Sequence, residues 1–236
     1  MRLRTLAAAA AASALLLLAG CATSPGGGDA TTGPSPSDDP AAAELAAAWL
    51  DSGRAVGLVT WGSSTCQPTA IVEPEGQTLR VELVDDAQAA CTRDYVPRAT
   101  VLGVPEDVDA TENLEIIVTG DAYSGRVELD GLDPEYVVEG MTDYEPSAGW
   151  TDIDGMFVIL TWGSSGCPPV LEDVTETAEA EITATFADPP ADQVCTADMA
   201  PRGTVAYVDA LSEDSDVELV LVGDGYDSVR VPILPD

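Results

Sequence analysis

Apolar residues in this chain recur mostly with a period of two, and scarcely anywhere with a helical period. Leu79, Val81 and Leu83 alternate with Arg80 and Glu82, and Ile182, Ala184 and Phe186 alternate with Glu181, Thr183 and Thr185. That spacing sets one face of a strand on a core and the other in water. Two runs, Ala55–Trp61 and Met156–Trp162, are apolar at nearly every position. They suit strands buried on both faces. Further strands are predicted to begin near Arg98, Leu114 and Gly125, and near Arg202, Val217 and Ser228. One segment reads as a short helix. Asp39 stands as its N-cap, Pro40 at its first position, an Ala-rich run continues to Leu50, and Gly53 lies near its stop.

The pattern is written twice. Trp49 matches Trp150, and TWGSSTC at Thr60–Cys66 matches TWGSSGC at Thr161–Cys167. CTRDYVPRATV from Cys91 aligns with CTADMAPRGTV from Cys195, and LEIIVTGDAY from Leu114 with VELVLVGDGY from Val217. The blocks keep their order, as a tandem duplication of a unit of roughly 90 residues would. About six short strands per copy, separated by turn residues, predict an all-β chain of two tandem small antiparallel β-sandwich units. The expected bounds are residues 41–133 for the first unit and 149–236 for the second, with an acidic linker at 134–148.

The amino terminus carries a different signal. Arg2 and Arg4 precede an apolar run from Leu6 to Leu18, too short to span a bilayer comfortably. The run ends in Leu18-Ala19-Gly20-Cys21. This ending resembles the lipobox of bacterial lipoproteins, whose cysteine receives a diacylglyceryl group and becomes the first residue of the mature chain. The resemblance implies a signal peptide at 1–20 and a lipid anchor on Cys21 at the outer face of the cell membrane. Two acyl chains satisfy the two-anchor requirement for durable attachment. Residues 21–40 lack the apolar side chains to pack and read as a flexible tether, with a reach of roughly 25 Å.

Charge narrows the partners. The chain holds 42 Asp and Glu against nine Arg, with no Lys and no His. Without the signal, seven Arg remain and the formal net charge becomes −35. Such a body repels phosphate backbones and anionic headgroups, so nucleic acid is not an expected partner and membrane contact falls to the lipid.

Five cysteines are present. With Cys21 assigned to lipid, four remain in an exported chain, where two disulfides are expected and three pairings are possible. The repeat selects Cys66–Cys91 and Cys167–Cys195. No CxxC spacing or His ligand suggests zinc or redox chemistry.

The paired serines, Ser63-Ser64 and Ser164-Ser165, stand beside Trp and Cys, but a nucleophilic serine needs a base, usually His or Lys. They read instead as the turn of a disulfide-stapled corner. Asp94 and Arg98, like Asp198 and Arg202, sit four apart and allow two readings. One is a brace, an ion pair or a set of loop hydrogen bonds that fixes the chain entering the next strand. The other is a guanidinium fork, Arg98 and Arg202, offered to an anionic ligand. Trp61 and Trp162 read as core filler, or else as rings facing a sugar. Gly120-Asp121-Ala122-Tyr123 and Gly223-Asp224-Gly225-Tyr226 read as hairpin turns. The clusters Glu106–Asp109 and Glu213–Asp216 would suit Ca²⁺, although neither has EF-hand spacing; no cofactor is otherwise expected.

These readings converge on a lipid-anchored extracytoplasmic protein acting as a non-catalytic binding module, with two similar units and an envelope protein or glycan as partner. A passive envelope spacer is the alternative, and a carboxylate-based cell-wall glycosidase ranks below both. The mature part is also similar to actinobacterial surface lipoproteins sharing WGSSxC and CTxDxxPR. That resemblance implies no activity.

Overall fold

The computed structural model describes residues 44–208 and 217–236. The signal, Cys21, the tether and the Glu213–Asp216 cluster lie outside the described residues. Fourteen strands are described: β1 (Leu45–Leu50), β2 (Ala55–Gly62), β3 (Thr69–Pro74), β4 (Thr78–Val84), β5 (Val96–Gly103), β6 (Leu114–Thr119), β7 (Gly125–Leu129), β8 (Ser147–Trp150), β9 (Met156–Gly163), β10 (Leu171–Ala178), β11 (Glu181–Phe186), β12 (Ala200–Tyr207), β13 (Glu218–Gly223) and β14 (Tyr226–Leu234). The only helical element among the described residues is a single 3-10 turn, Asp51–Gly53. None is long and apolar enough to cross a membrane. The chain is all-β, with disulfides Cys66–Cys91 and Cys167–Cys195.

In the first copy, β1-β2-β5 form one sheet and β3-β4-β6-β7 another. The second copy repeats this as β8-β9-β12 and β10-β11-β13-β14, and the end of β14 also pairs with β8, so its seven strands are hydrogen-bonded in one sheet. The β1-β2-β5 sheet is antiparallel as expected, but the other two sheets are mixed, which corrects the expectation for them. β4 pairs β6 in parallel, with Leu79 opposite Ile116, and β11 pairs β13 in parallel. The chain leaves β4, passes through β5 in the other sheet and returns, and such a crossover makes a parallel neighbour.

The predicted helix is also corrected: its described part is strand β1. Ala47 and Trp49 face one apolar cluster, while Ala46, Ala48 and Leu50 face another. Alanine favours a helix in isolation, but a strand with both faces buried is set by its neighbours, and tertiary packing overrides propensity.

Three cores fill the stack. One lies between the two sheets of the first copy, around Trp49, Leu58, Leu79 and Ile116. A second lies within the second copy, around Trp150, Phe157, Phe186 and Leu219. The third joins the copies, with Ala46, Ala48, Leu50, Ala55, Val59 and Ala99 set against Met156, Val158 and Leu160. The apolar runs behave as their pattern predicted: Phe157 and Ile159 face the second core, while Met156, Val158 and Leu160 face the third. The result is a layered, solenoid-like stack, and the described body belongs to a single compact unit.

Across the third core, equivalent positions of the two copies meet. A β-carbon on Gly149 would lie 3.4 Å from that of Ala48, one on Gly57 would lie 2.8 Å from Val158, and one on Gly203 would lie 2.9 Å from Ala99. Contacts between equivalent residues mark a self-complementary, two-fold-like interface. Asp51 N–H donates to Ser147 Oγ at 2.8 Å. Asp51 follows the end of β1 remote from the first WGSS corner, whereas Ser147 pairs with Leu160 near the second corner. The two corners therefore point to opposite ends of the body.

The acidic stretch between the copies is strapped to the body. Val138 N–H donates to Ser52 O at 3.2 Å, Arg54 Nη1 donates to Met141 O at 3.1 Å, and Tyr136 and Val137 pack on the first core.

Candidate functional site

The duplicated corner is built where one strand ends and its neighbour begins. Trp61 and Gly62 close β2, in register with Pro97 and Val96 at the start of β5, and Thr60 lies opposite Arg98. The second copy repeats this with Thr161 opposite Arg202. The disulfide then clips the loop after β2 to the loop before β5.

Arg98 is only 7% exposed. Its guanidinium lies against Gly62, where a β-carbon would come within 2.5 Å of Nη2; Gly163 gives the same room to Arg202, at 2.8 Å from Cζ. Glycine in the motif is thus a space requirement. Arg98 Nη1 donates to Ser63 O at 3.1 Å and to Cys66 O, and Nη2 donates to the Tyr123 hydroxyl at 2.7 Å. Tyr123 in turn donates to Asp85 Oδ1 at 2.8 Å. Arg202 donates to Cys167 O and Trp162 O, both at 3.0 Å, and the Tyr226 hydroxyl bonds with Thr161 and Arg202. Burial raises both phenols above their ordinary range, and Asp85 adds to the effect on Tyr123.

Of the two forms of brace, the structure has the loop hydrogen bonds: the guanidinium groups turn inward onto backbone carbonyls rather than outward as ligand forks. The Asp–Arg ion pair is absent among the described residues. Asp94 instead accepts the Ser64 N–H at 3.3 Å and the Thr92 hydroxyl, and Asp198 accepts Ser165 N–H at 3.2 Å and Thr196 Oγ1 at 2.5 Å. Hydrogen bonds from Ser64 and Thr92 lower the Asp94 carboxyl to about 2, and those from Ser165 and Thr196 lower Asp198 to about 2.

The serines complete a hydroxyl cluster. Ser63 Oγ lies 2.7 Å from Thr92 Oγ1, and Ser164 Oγ lies 2.7 Å from Thr196 Oγ1. The hydroxyls and the carboxylate of each corner bond to one another and to the loop backbone. Trp61 and Trp162 both pack on the third core, and Tyr144 meets Trp162 edge-on with ring centroids 5.0 Å apart. Both rings are half-buried, packing in part as the core-filler reading expects.

The remaining motifs fall elsewhere. The Gly-Asp segments turn β6 into β7 and β13 into β14, and Asp224 and Gly225 carry φ of 46° and 84°. These are left-handed values suited to a two-residue hairpin. Asp109 accepts Thr111 N–H at 2.9 Å and Thr111 Oγ1 at 2.7 Å, which lower its carboxyl. Among the described residues, no group of three His, Cys, Asp or Glu side chains is arranged to hold a metal ion. An open pocket of about 370 Å³, lined by Leu45, Glu115, Arg126, Val127, Glu128 and Asp152, lies away from the corner residues.

Reasoning from sequence missed Tyr123, Tyr226 and Asp85 as members of the corner. The tyrosine shared by GDAY and GDGY was the available signal. It was absorbed into a turn assignment. Gln67 was missed as well: its Nε2 donates to Ala99 O at 2.7 Å and Thr100 Oγ1 at 2.9 Å.

The chain matches no protein-family model, and neither a search of curated proteins nor one of solved structures finds a match.

Proposed function

We propose that the chain is a lipid-anchored extracytoplasmic lipoprotein whose body is a non-catalytic binding module made of two β-sandwich units. The first copy offers two sheets facing one apolar core, and the second wraps one continuous sheet of two like halves around its own, which supports the sandwich reading. The Leu18–Cys21 signal and the tether after it support the anchored, extracytoplasmic one.

One observation carries the binding reading. The arginine, the carboxylate and the hydroxyls of each corner bond to the loop itself, while the residue after the carboxylate stands outward at the same position in both copies. These are Tyr95, 71% exposed, and Met199, 60% exposed. A braced loop presenting an exposed large side chain loses little entropy on contact, which favours recognition.

The test uses the mature chain with Cys21→Ser, immobilised and exposed to envelope extract, with retained material identified by mass spectrometry. Retention of a protein or glycan above an unrelated acidic β-protein supports the reading. No enrichment moves the weight to a passive spacer. Metabolic labelling with a fatty-acid analogue, lost in the same variant, tests the anchor.

A further inference from the structure

The two corners are alike in sequence but not in placement. Leu45 is in register with Thr60, so the chain enters the described body beside the first corner. The second corner lies at the opposite end, on the order of 35 Å away at the rise of five residues of strand on each side of the seam. On the anchored reading above, the first corner faces the membrane side and the second faces outward.

The far end gathers the end of β9, the start of β10, the end of β11 and the start of β12, since Leu171 pairs with Phe186 and Ala200 with Gly163. Around the Cys167–Cys195 disulfide it exposes Val170 at 62%, Val194 at 92% and Met199 at 60%. Val194 directly precedes the disulfide cysteine Cys195, and Val170 O accepts Ala187 N–H at 2.8 Å. Exposed carboxylates Asp188, Asp192 and Asp198 stand on the same loops, and exposed Glu172 stands at the start of β10.

No Lys or Arg occurs between Val127 and Pro201, and Arg202 is turned inward. The near end differs. Arg93 there holds the position that Ala197 holds at the far end, and Tyr95 holds that of Met199. An apolar centre inside a rim of one sign repels polyanions and suits an apolar side chain flanked by positive charge.

We propose that this far end docks a cationic polypeptide segment, with Val170, Val194 and Met199 receiving an apolar anchor residue and the surrounding carboxylates pairing with neighbouring Lys or Arg. This rests on the binding-module reading and names its partner class. The occupied end is the outward one.

The test pans a display library of 12-residue peptides on the mature chain with Cys21→Ser. Enriched peptides are then measured against two variants, Val194→Ser with Met199→Ser, and Tyr95→Ser alone. All three substitutions are at exposed positions, and circular dichroism confirms that folding is retained. Supporting the proposal, enriched peptides pair Lys or Arg with Leu, Phe or Met, bind more weakly as salt rises, and lose about tenfold or more in affinity in the far-end variant only. Enrichment of acidic or neutral peptides, or loss in the Tyr95→Ser variant alone, overturns the far-end assignment while leaving a binding module. No enrichment overturns the docking proposal, and capture from envelope extract then decides the binding-module reading separately.

Discussion

The guanidinium of Arg98 occupies the space where a side chain on Gly62 would begin, with Nη2 2.5 Å from the position of a β-carbon. Gly62→Ala therefore displaces a buried cation from its carbonyl and phenol acceptors. The expected cost is about 2–3 kcal/mol in denaturant unfolding. In a double-mutant cycle Gly62→Ala and Arg98→Ala should be strongly non-additive, because the second substitution removes what the first collides with. Additive costs would show that the glycine serves another purpose.

Arg98→Lys should not rescue the corner. A single ammonium cannot replace the fork that reaches Ser63 O, Cys66 O and the Tyr123 hydroxyl together. The expected loss is about 2–4 kcal/mol for Arg98→Lys and about 1–2 kcal/mol for Tyr123→Phe, read from urea midpoints. A lysine variant as stable as the parent would refute the bracing role.

Acid should loosen both corners. Asp94 and Asp198 have folded values of about 2, below their ordinary 3.8. Stability from a depressed carboxyl is present above the unfolded value and is lost as pH falls through the folded one, here between about 4 and 2. Protonation elsewhere relieves the repulsion of a highly acidic body, so the informative quantity is a difference. Asp94→Asn with Asp198→Asn should show a shallower loss of stability than the parent over that window. Parallel pH curves would count against the assignment.

The seam between the copies should make unfolding a single event. Gly203→Leu drives a side chain against Ala99 and Val101, both within 3.1 Å of where a β-carbon on Gly203 would stand. The parent is expected to unfold in one transition by near-ultraviolet circular dichroism, and the variant in two, with about 2–4 kcal/mol lost from the coupled state. Two transitions in the parent would show that the third core does not couple the copies.

Reducing agent should act on the two corners independently. The disulfides close separations of 25 and 28 residues. Removing either as a Cys→Ala pair should cost roughly 3 kcal/mol, with little cross-talk between distant sites. Thermal melts of each pair and of both together measure this.

The repeat, the disulfide pairing and the strand-rich pattern were legible because each leaves a mark at short range: a matched block, a cysteine count or a period of two. Strand starts near Leu114 and Gly125 were legible for the same reason. The Ala-rich run was misread because its strand character comes from neighbours far along the chain, among them Gly149, which admits Trp49 O. The sequence leaves Arg98 and Arg202 open between a brace and a ligand fork. Their inward turn depends on Gly62, Gly163 and the tyrosines of distant turns, which no local pattern links. Gly57 and Gly203 looked like ordinary strand residues, and only the stacked sheets show what they make room for.

Leu234, two residues from the end of the sequence, is 4% exposed and belongs to the core of the first copy, while its backbone pairs with Gly149. The core of the first copy thus borrows a side chain from β14, whose Val231 and Ile233 belong to the core of the second copy. Damage to this one strand is therefore felt in both copies rather than in one.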